Sequence, residues 1–471
     1  MMNNVCLGLW GRFAWMGFVA LFVSGCIFNA GGSRSLSISS SRRSRSSDLR
    51  VDRSRLLIGA YCLQENARTD AHAKAISDCG VDFIVGTGKD GVMVSDWVTL
   101  DLFAKYGLGA IVDGAMPVWN GRDGRDAGKM RTLHPPKKYE TAAKAFYDHP
   151  AIWGIDIGDE PSALDFPYFG ELVRSLNGLL PGVPLYLNLY PNYASVAENS
   201  GSQTVSQLGT ATYGEYIEAY CRYVPLDYIS YDFYPYTEPE RQDEFLSRMY
   251  DNFIVVSDAC RKTGRSFWYI PQVNSRPGLQ ATSENRLRFQ AFAAMSFGAE
   301  VIMWGCWCKG WWTNNVLDVA GQQTEQYGKL KRVNRGLKSM GGIYMKFRTE
   351  ATHFVGFPRD SARNPKQPCR IVDALTTASF SGLRASNGAA LLVGEMKPRN
   401  PSTKGQALFV TAADDPCDEH HNTFDLLFRV PKNVQAFGEN DVIPIQRKAD
   451  GCCSLQLSSC EAVLLVATNE E

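Results

Sequence analysis

From Leu56 onward, short apolar runs alternate with longer segments whose apolar residues recur at helical spacing. The runs predict strands at residues 56–62, 81–88, 108–114, 151–158, 184–191, 227–236, 266–273 and 300–307. The segments that follow them predict helices at about 68–78, 97–106, 136–147, 164–180, 213–223, 240–263, 283–297 and 325–340. Such strict alternation forces a parallel sheet, and eight strand–helix units predict a (β/α)8 barrel, an α/β fold, over residues 56–343.

An open doubly wound sheet is the alternative arrangement of eight such units. No G-x-G-x-x-G motif follows the first strand and no P-loop motif occurs, which disfavours a nucleotide-binding open sheet. No paired C-x-x-C motifs occur, and the six histidines do not cluster at strand ends. The sequence therefore predicts neither a cofactor nor a metal.

Beyond residue 343 the helical periodicity ends. Eight short apolar runs follow, separated by turn residues, at 351–357, 369–375, 388–396, 406–412, 424–430, 434–438, 452–458 and 461–467. This pattern predicts an antiparallel β-sandwich over residues 344–471. We expect it to pack against the barrel, and carbohydrate binding is an alternative role.

The N-terminal region has the pattern of an export signal. Arg12 precedes an apolar run at 13–23, which is too short to span a bilayer. The residues at 23–26, VSGC, resemble the bacterial lipobox, which implies a signal peptide at 1–26 and lipid attachment at Cys26. An ordinary signal peptide with a chance cysteine is the alternative. Residues 27–55 are rich in Ser and Arg and predict a flexible tether. The expected location is the bacterial cell envelope, in the periplasm or on the outer-membrane surface, with membrane contact through the lipid only.

The composition narrows the possible partners. The 49 Lys and Arg residues balance the 49 Asp and Glu residues, so no overall field favours nucleic acid. Aromatic residues make up 11% of the 471 residues, which suits a large core or a sugar-stacking cleft. The 13 cysteines meet an oxidising compartment if the chain is exported, but their pairing cannot be deduced from sequence.

The candidate chemistry lies at the carboxyl ends of the predicted strands, which meet at one mouth of a barrel. The stretch at 151–161, AIWGIDIGDEP, carries Asp159 and Glu160 before its final proline. Asp156, inside the strand, is expected to bond to neighbouring strands. The full set of strand-end candidates is Lys89, Asp90, Asp113, Asp159, Glu160, Asn188, Tyr190, Asn192, Tyr193, Tyr231, Asp232, Tyr234, Tyr236, Gln272, Asn274, Trp304, Trp307, Trp311 and Trp312. Carboxyls transfer protons, amides bind hydroxyls, and rings stack on the apolar face of a pyranose. A carbohydrate substrate is therefore expected.

A barrel with an acidic pair closing strand four resembles the glycoside hydrolases of clan A. In those enzymes a Glu at this position, often followed by Pro, is the general acid/base, and Glu160-Pro161 matches it. The usual preceding Asn is Asp159 here, and the usual strand-seven nucleophile, a Glu, is Gln272 here. A Trp at strand eight is also typical, and Trp304 fits. The resemblance implies an exported, lipid-anchored glycoside hydrolase that cleaves O-glycosidic bonds of a poly- or oligosaccharide.

The departure at Gln272 leaves three mechanisms open. The clan A mechanism needs a nucleophile there. The adjacent Asp–Glu pair also resembles the hexosaminidases of families 20 and 123, in which Asp159 would orient the substrate's 2-acetamido group and Glu160 would protonate the leaving oxygen. In the third, Asp232 partners Glu160.

The predicted catalytic residues are therefore Glu160, Asp159 and Asp232. The predicted substrate-binding residues are Asp113, Asn188, Tyr190, Tyr231, Tyr234, Gln272, Asn274, Trp304 and Trp307. The alternative function is a non-catalytic glycan-binding lipoprotein on a degenerate barrel, which Gln272 supports.

Overall fold

The computed structural model describes residues 54–61, 68–86, 92–113, 124, 126–143, 146, 148–196, 207–305, 307, 312–318, 320–403, 405–430 and 433–468. Leu49–Glu471 forms one compact unit. The predicted lipid site at Cys26 and the candidates Lys89, Asp90 and Trp311 lie outside the described residues.

The first part of this unit alternates strands and helices, as the sequence predicts. The strands are β1 (Leu57–Tyr61), β2 (Phe83–Val85), β3 (Gly109–Asp113), β4 (Ile152–Asp159), β5 (Leu185–Asn188), β6 (Tyr228–Phe233), β7 (Ser266–Pro271) and β8 (Ala299–Gly305). The helices are α1 (Asp70–Asp78), α2 (Trp97–Lys105), α3 (Met130–Leu133), α4 (Pro136–Ala143), α5 (Phe166–Leu179), α6 (Tyr213–Tyr223), α7 (Gln242–Thr263), α8 (Glu284–Ser296) and α9 (Glu325–Tyr344). The short α3 is the one helix among these that the periodicity does not predict.

The eight strands form one parallel sheet in the order β5-β4-β3-β2-β1-β8-β7-β6, which confirms the predicted barrel. The sheet closes between β5 and β6 through a single parallel bridge, Leu189 to Tyr231. Tyr228 strengthens this seam, because its hydroxyl accepts from the Leu187 N–H at 2.9 Å and donates to the Leu185 carbonyl at 2.8 Å. A side chain thus supplies hydrogen bonds where the backbone ladder is sparse.

Aromatic rings fill the barrel below the mouth. The Trp268 and Tyr228 rings stack with centroids 4.3 Å apart, and Phe83 stacks on Trp153 at 5.9 Å. Glycine makes room for them: a Cβ on Gly109 would lie 2.1 Å from Trp153 Cδ2. The floor of the barrel is therefore a closed aromatic core. In barrels of this kind the functional side chains lie at the carboxyl ends of the strands.

The remaining strands form two further sheets, which confirms the predicted β-sandwich. They are β9 (Phe347–Val355), β10 (Ile371–Val372), β11 (Ser381–Ala385), β12 (Leu391–Pro398), β13 (Gln406–Ala412), β14 (Thr423–Arg429), β15 (Asn433–Phe437), β16 (Val442–Ile443), β17 (Gln446–Arg447), β18 (Cys452–Ser458) and β19 (Ala462–Thr468). One sheet has the order β10-β9-β12-β13-β19-β15-β16 and the other β11-β14-β18-β17. The pairings are antiparallel except that of β9 with β10, which is parallel.

The sandwich packs closely on α8 of the barrel. The Ser296 hydroxyl lies 2.9 Å from the Thr411 hydroxyl, and the Thr352 hydroxyl donates to the Ser296 carbonyl at 3.0 Å. A Cβ on Gly394 would lie 2.4 Å from that carbonyl oxygen, so this glycine permits the close approach. The barrel and the sandwich therefore share a tight seam, in which Phe292 and Tyr344 also pack against Phe409.

The described residues also bear on membrane-spanning helices and on the state of the cysteines. Within those ranges, no helix is long and apolar enough to span a membrane. The cysteines of the same ranges are free thiols: Cys79, Cys221, Cys260, Cys369, Cys417, Cys452, Cys453 and Cys460.

The contact between Gly109 and Trp153 predicts the effect of filling this space. Gly109→Ala should lower the free energy of unfolding by about 1–3 kcal/mol, because the new methyl group displaces the indole ring. Gly178→Ala is the matched control: nothing lies within 4 Å of its Cβ position in α5, so it should raise stability by about 0.5–1 kcal/mol. Urea denaturation of both variants measures this. Equal effects of the two substitutions would contradict the packing described here.

Candidate active site

The end of β4 departs from regular strand geometry. Its pairing with β5 skips one residue, from Asp156 opposite Tyr186 to Gly158 opposite Leu187. The Asp156 carboxylate accepts the N–H of Gly158, in the same strand, at 3.0 Å. Gly158 has φ 152°, a conformation that favours glycine. This bulge resets the alternation of side chains and places Asp159 opposite Asn188 of β5.

Glu160 follows directly in a strained backbone conformation. Its φ is 48°, which is unusual for a residue with a side chain, and its N–H donates to the Asn188 carbonyl at 3.0 Å. The next residue, Pro161, is held by the Tyr216 hydroxyl, which donates to its carbonyl at 2.8 Å. The Glu160 side chain is half-buried. Strain of this kind persists where the surroundings enforce it, and it is common at functional sites.

Asn188 brings two carboxylates together. Its side-chain amide donates to Asp232 Oδ1 at 2.8 Å and to Asp159 Oδ1 at 3.1 Å. The Ser230 hydroxyl donates to the Asn188 side-chain oxygen at 3.1 Å and so fixes which end of the amide faces the carboxylates. Tyr61, at the end of β1, donates its hydroxyl to Asp159 Oδ1 at 3.0 Å. Side chains from β1, β4, β5 and β6 therefore converge on one polar cluster.

This arrangement makes ionisation of both carboxyls unfavourable. Burial, and secondarily the charge of Asp232, raise the pKa of Asp159 to about 7, although hydrogen bonds from Asn188 and Tyr61 oppose the rise. Burial likewise raises the pKa of Asp232 to about 6, against hydrogen bonds from Asn188 and Tyr234. The charge of Asp232 opposes the ionisation of Asp159, so the two groups titrate as an interacting pair.

Aromatic side chains line the approach to this cluster. The Tyr234 ring meets Trp312 edge to face at 5.2 Å, and its phenol bonds the Asp232 carboxylate. Tyr193 is 38% exposed and packs on Phe233 at 5.4 Å. Desolvation of its hydroxyl raises the pKa of Tyr193, and the charges of Asp232 and then Glu160 raise it further. Tyr193 therefore offers an accessible ring beside the carboxylates.

Three of the predicted substrate-binding residues lie on the other side of the sheet, against the helices. The Trp304 indole donates to Asn334 of α9 at 2.8 Å, and Tyr231 stacks on Phe267 at 5.9 Å. The Tyr190 ring lies 6.5 Å from the ring of Tyr216 in α6, and the Tyr190 N–H donates to the Tyr216 hydroxyl at 3.2 Å. Along a strand, successive side chains alternate between the two faces. Because Asp232 points inward, its neighbour Tyr231 faces the helix layer.

Gln272 and Asn274 are fully buried behind the mouth. The Gln272 side-chain oxygen accepts the Tyr236 N–H at 2.9 Å, and its amide donates to the Asn274 carbonyl at 2.8 Å. Asn274 donates its own amide to Asn315 at 2.9 Å. Both side chains are therefore committed to holding loops in place, and no carboxylate stands where the clan A nucleophile would.

Two further candidates are buried at strand ends. Asp113, only 6% exposed, lies opposite Asp156 where β3 pairs with β4. Trp307 is fully buried after β8, with its backbone N–H on the Tyr61 carbonyl at 2.9 Å. The structure thus brings Glu160, Asp159, Asp232, Asn188 and Tyr234 together. It places Trp304, Tyr231 and Tyr190 against the helices instead.

Sequence reasoning missed Tyr61 and Ser230. Tyr61 ends the first strand, at a position equivalent to those that were considered on the other strands, so the strand-end rule itself could have found it. Ser230 lies two residues before Asp232, on the same face of β6. Within the described ranges, no group of three His, Cys, Asp or Glu side chains is arranged to hold a metal ion.

The raised pKa values predict how stability depends on pH. An aspartate whose pKa is higher in the folded state contributes stability below its ordinary pKa, and this is lost as pH rises through the folded value. Asp159→Asn should therefore raise the free energy of unfolding at pH 8 by about 1–2 kcal/mol and change it little at pH 4.

Asp70→Asn is a control of opposite sign, since a hydrogen bond from Lys105 lowers the pKa of Asp70. That substitution should reduce stability at pH 8. Urea unfolding at both pH values measures the two variants. A stability gain in Asp159→Asn that is equal at pH 4 and pH 8 would refute the ionisation described here.

Comparisons with known proteins concern the fold. The sequence matches no protein-family model, and no curated protein matches it. Among solved structures, it is similar to a glycoside hydrolase family 42 β-galactosidase from G. stearothermophilus, with a TM-score of 0.50 and 10% identity over 88% of this chain and 98% of that chain.

Two further structures are more distant. An endo-β-1,4-mannanase from Thermotoga petrophila gives a TM-score of 0.44 and 8% identity over 88% of this chain and 96% of that chain. A β-galactosidase from Marinomonas ef1 gives a TM-score of 0.44 and 13% identity. The match covers 64% of this chain and 63% of that enzyme's chain. The likeness to the family 42 enzyme, at 10% identity, shows that the two chains share a fold.

Proposed function

We propose that this chain is a glycoside hydrolase that cleaves O-glycosidic bonds of a poly- or oligosaccharide, with Glu160 as the general acid/base. The observation that carries the proposal is the placement of Glu160 beside the Asp159–Asn188–Asp232 cluster, at the carboxyl end of a barrel strand. Half-burial leaves Glu160 within reach of a ligand while limiting its hydration. Tyr193 and Tyr234 supply rings on which a sugar can stack.

The second carboxyl that a sugar can reach is Asp159. It is half-buried, whereas Asp232 is only 6% exposed and bonded by Asn188. Asp232 then has an indirect role. It holds the side-chain amide of Asn188, and its charge makes ionisation of Asp159 less favourable. A positive charge that develops on the sugar would relieve this unfavourable ionisation, so the site favours the transition state over the neutral substrate.

Substrate assistance is the mechanism that these residues support best. The clan A nucleophile position is occupied by Gln272, whose amide is buried and engaged by backbone groups. In the assisted reaction, Glu160 gives its proton to the leaving oxygen while the substrate's acetamido oxygen attacks the anomeric carbon. Asp159 accepts the acetamido N–H, and Glu160 then takes a proton from the water that opens the cyclic intermediate.

The proposed location follows from the N-terminal pattern. The apolar run at 13–23 and the lipobox-like residues ending in Cys26 support export and lipid anchoring in a bacterial cell envelope. The Ser/Arg-rich stretch at 27–55 would tether the barrel to that lipid. The substrate would then be a glycan outside the cytoplasm.

Glu160→Gln is the direct test of the acid. It should reduce hydrolysis of a cleaved glycan by about 10²–10⁴-fold, because the amide cannot donate a catalytic proton, and leave the fold intact. Glu325→Gln, at an 85% exposed position on α9, is the matched control and should retain full activity. Reducing-end release after incubation with a glycan panel measures both variants.

Two outcomes would contradict the proposed enzyme. One is an unchanged rate in Glu160→Gln. The other combines two results: the parent protein cleaves no glycan of the panel, and calorimetry still detects glycan binding after Glu160→Gln. These results would establish a non-catalytic glycan-binding protein instead.

Substrate assistance makes a separate prediction. Hydrolysis should require a 2-acetamido sugar, and a thiazoline mimic of the cyclic intermediate should inhibit it competitively. The measurement compares paired aryl glycosides that differ only in their 2-acetamido or 2-hydroxyl group. Comparable cleavage of both would rule out assistance.

A further inference from the structure

The segment that follows β6 connects the carboxylate cluster to the β-sandwich. Tyr236, only 4% exposed, is held at both ends: its N–H donates to the Gln272 side chain at 2.9 Å, and its hydroxyl donates to the Pro416 carbonyl at 2.7 Å. Pro416 belongs to the sandwich loop at 414–421. A residue close to the candidate site is therefore bonded directly to the other domain.

Arg286 of α8 closes this contact from a second direction. Its guanidinium lies 4.9 Å from the centroid of the Tyr236 ring and donates to the Cys417 carbonyl at 3.1 and 2.7 Å. The ring is thus clamped between a barrel helix and the sandwich loop. A cation over an aromatic face that also makes charge-assisted hydrogen bonds holds both groups in one orientation.

The sandwich loop is rigid enough to act as an anchor. The Asp415 carboxylate is 3% exposed and accepts the N–H groups of Glu419 at 2.8 Å and His420 at 2.6 Å. The Cys460 thiol, in the turn between β18 and β19, donates to the Asp415 carbonyl at 3.2 Å. The loop therefore presents the Pro416 and Cys417 carbonyls from a fixed backbone.

The clamp lies two residues from a side chain of the site. Tyr234 bonds the Asp232 carboxylate through its phenol and stands against Trp312. The Thr237 hydroxyl and the Gln242 amide hold the intervening carbonyls of Tyr234 and Pro235, at 3.1 and 2.8 Å. A shift of Tyr236 would therefore move Tyr234 and loosen Asp232.

We propose that the sandwich is part of the catalytic unit: its Pro416–Cys417 loop, through Tyr236 and Arg286, positions Tyr234 and Asp232 beside Asp159. Tyr236 and Arg286 are positioning residues, since they act through Tyr234 and touch no reacting atom. The expected effect on turnover rests on the proposed glycosidase activity, whereas the effect on the carboxylate pair does not.

The experiment compares Tyr236→Phe with Tyr344→Phe. Tyr344 is a matched control: it is 1% exposed, its hydroxyl lies 2.9 and 3.0 Å from the carbonyls of Met295 and Ala299, and it ends α9 away from the carboxylate cluster. Each substitution removes one buried hydroxyl from a carbonyl contact. Carboxyl titration by NMR with ¹³C-labelled aspartate, with Asp159→Asn and Asp232→Asn for assignment, reports on the pair without any substrate.

Tyr236→Phe should move the titration of the Asp159–Asp232 pair toward the ordinary aspartate range, because a loosened end of β6 admits water. The same substitution should lower kcat about tenfold with little change in KM. Tyr344→Phe should leave both unchanged. If Tyr236→Phe does not fold, Arg286→Lys, which keeps a cation but loses the forked contact with Cys417, is measured in its place.

A titration of the pair that is the same in both variants and in the parent overturns the positioning role, even if both variants melt at a lower temperature. If the parent cleaves no glycan, the proposed glycosidase activity fails, while the titration still decides whether the loop positions the carboxylates.

Discussion

The candidate site depends on one carboxamide shared by two carboxylates, the half-buried Asp159 and the buried Asp232. Asn188 can donate to both Asp159 and Asp232 only because β5 and β6 meet at the barrel seam and β4 carries a bulge that aligns Asp159 with Asn188. Ser230 and Tyr228 belong to this same seam, where one orients the amide and the other bonds the strand backbone. Closure of the barrel and assembly of the site are therefore the same structural event.

This arrangement is costly to the folded state and useful to the chemistry. Three features of the site each reduce the stability of the folded state. They are the two carboxyls that resist ionising together, the left-handed backbone conformation of Glu160 and the bulge in β4. Their common location suggests that stability is given up for a site poised to receive positive charge. Packing in the aromatic core below the site and in the seam between barrel and sandwich offsets this loss of stability.

The sequence predicted the architecture closely because helical and strand periodicities are local properties. It also identified Asp159, Glu160, Asn188 and Asp232, since parallel strands place their carboxyl ends at one mouth. It could not separate the two faces at each strand end, so Trp304 and Tyr231, which face the helices, were predicted beside Asp232. The bulge at residues 156–158 was also beyond the sequence pattern, because it arises from pairing with β5.

The long-range contacts were the least predictable part. Nothing in the sequence connects Tyr236 to Pro416, which lie 180 residues apart and meet only when the sandwich docks. The sequence likewise gives no sign that the Gln272 side chain accepts a hydrogen bond from the Tyr236 N–H. The strand-end rule therefore predicts Gln272 as a substrate contact, whereas the structure shows its side chain bonded to the loop that carries Tyr236.

The account stands on Glu160 as the proton donor to the leaving group, and leaving-group dependence tests this most directly. Rates of the parent and of Glu160→Gln would be measured on aryl glycosides whose phenols range from strongly to weakly acidic. The account predicts a large loss for weakly acidic phenols and almost none for the most acidic ones, which depart without protonation. An equal loss across the series would contradict it and reduce Glu160 to a binding residue.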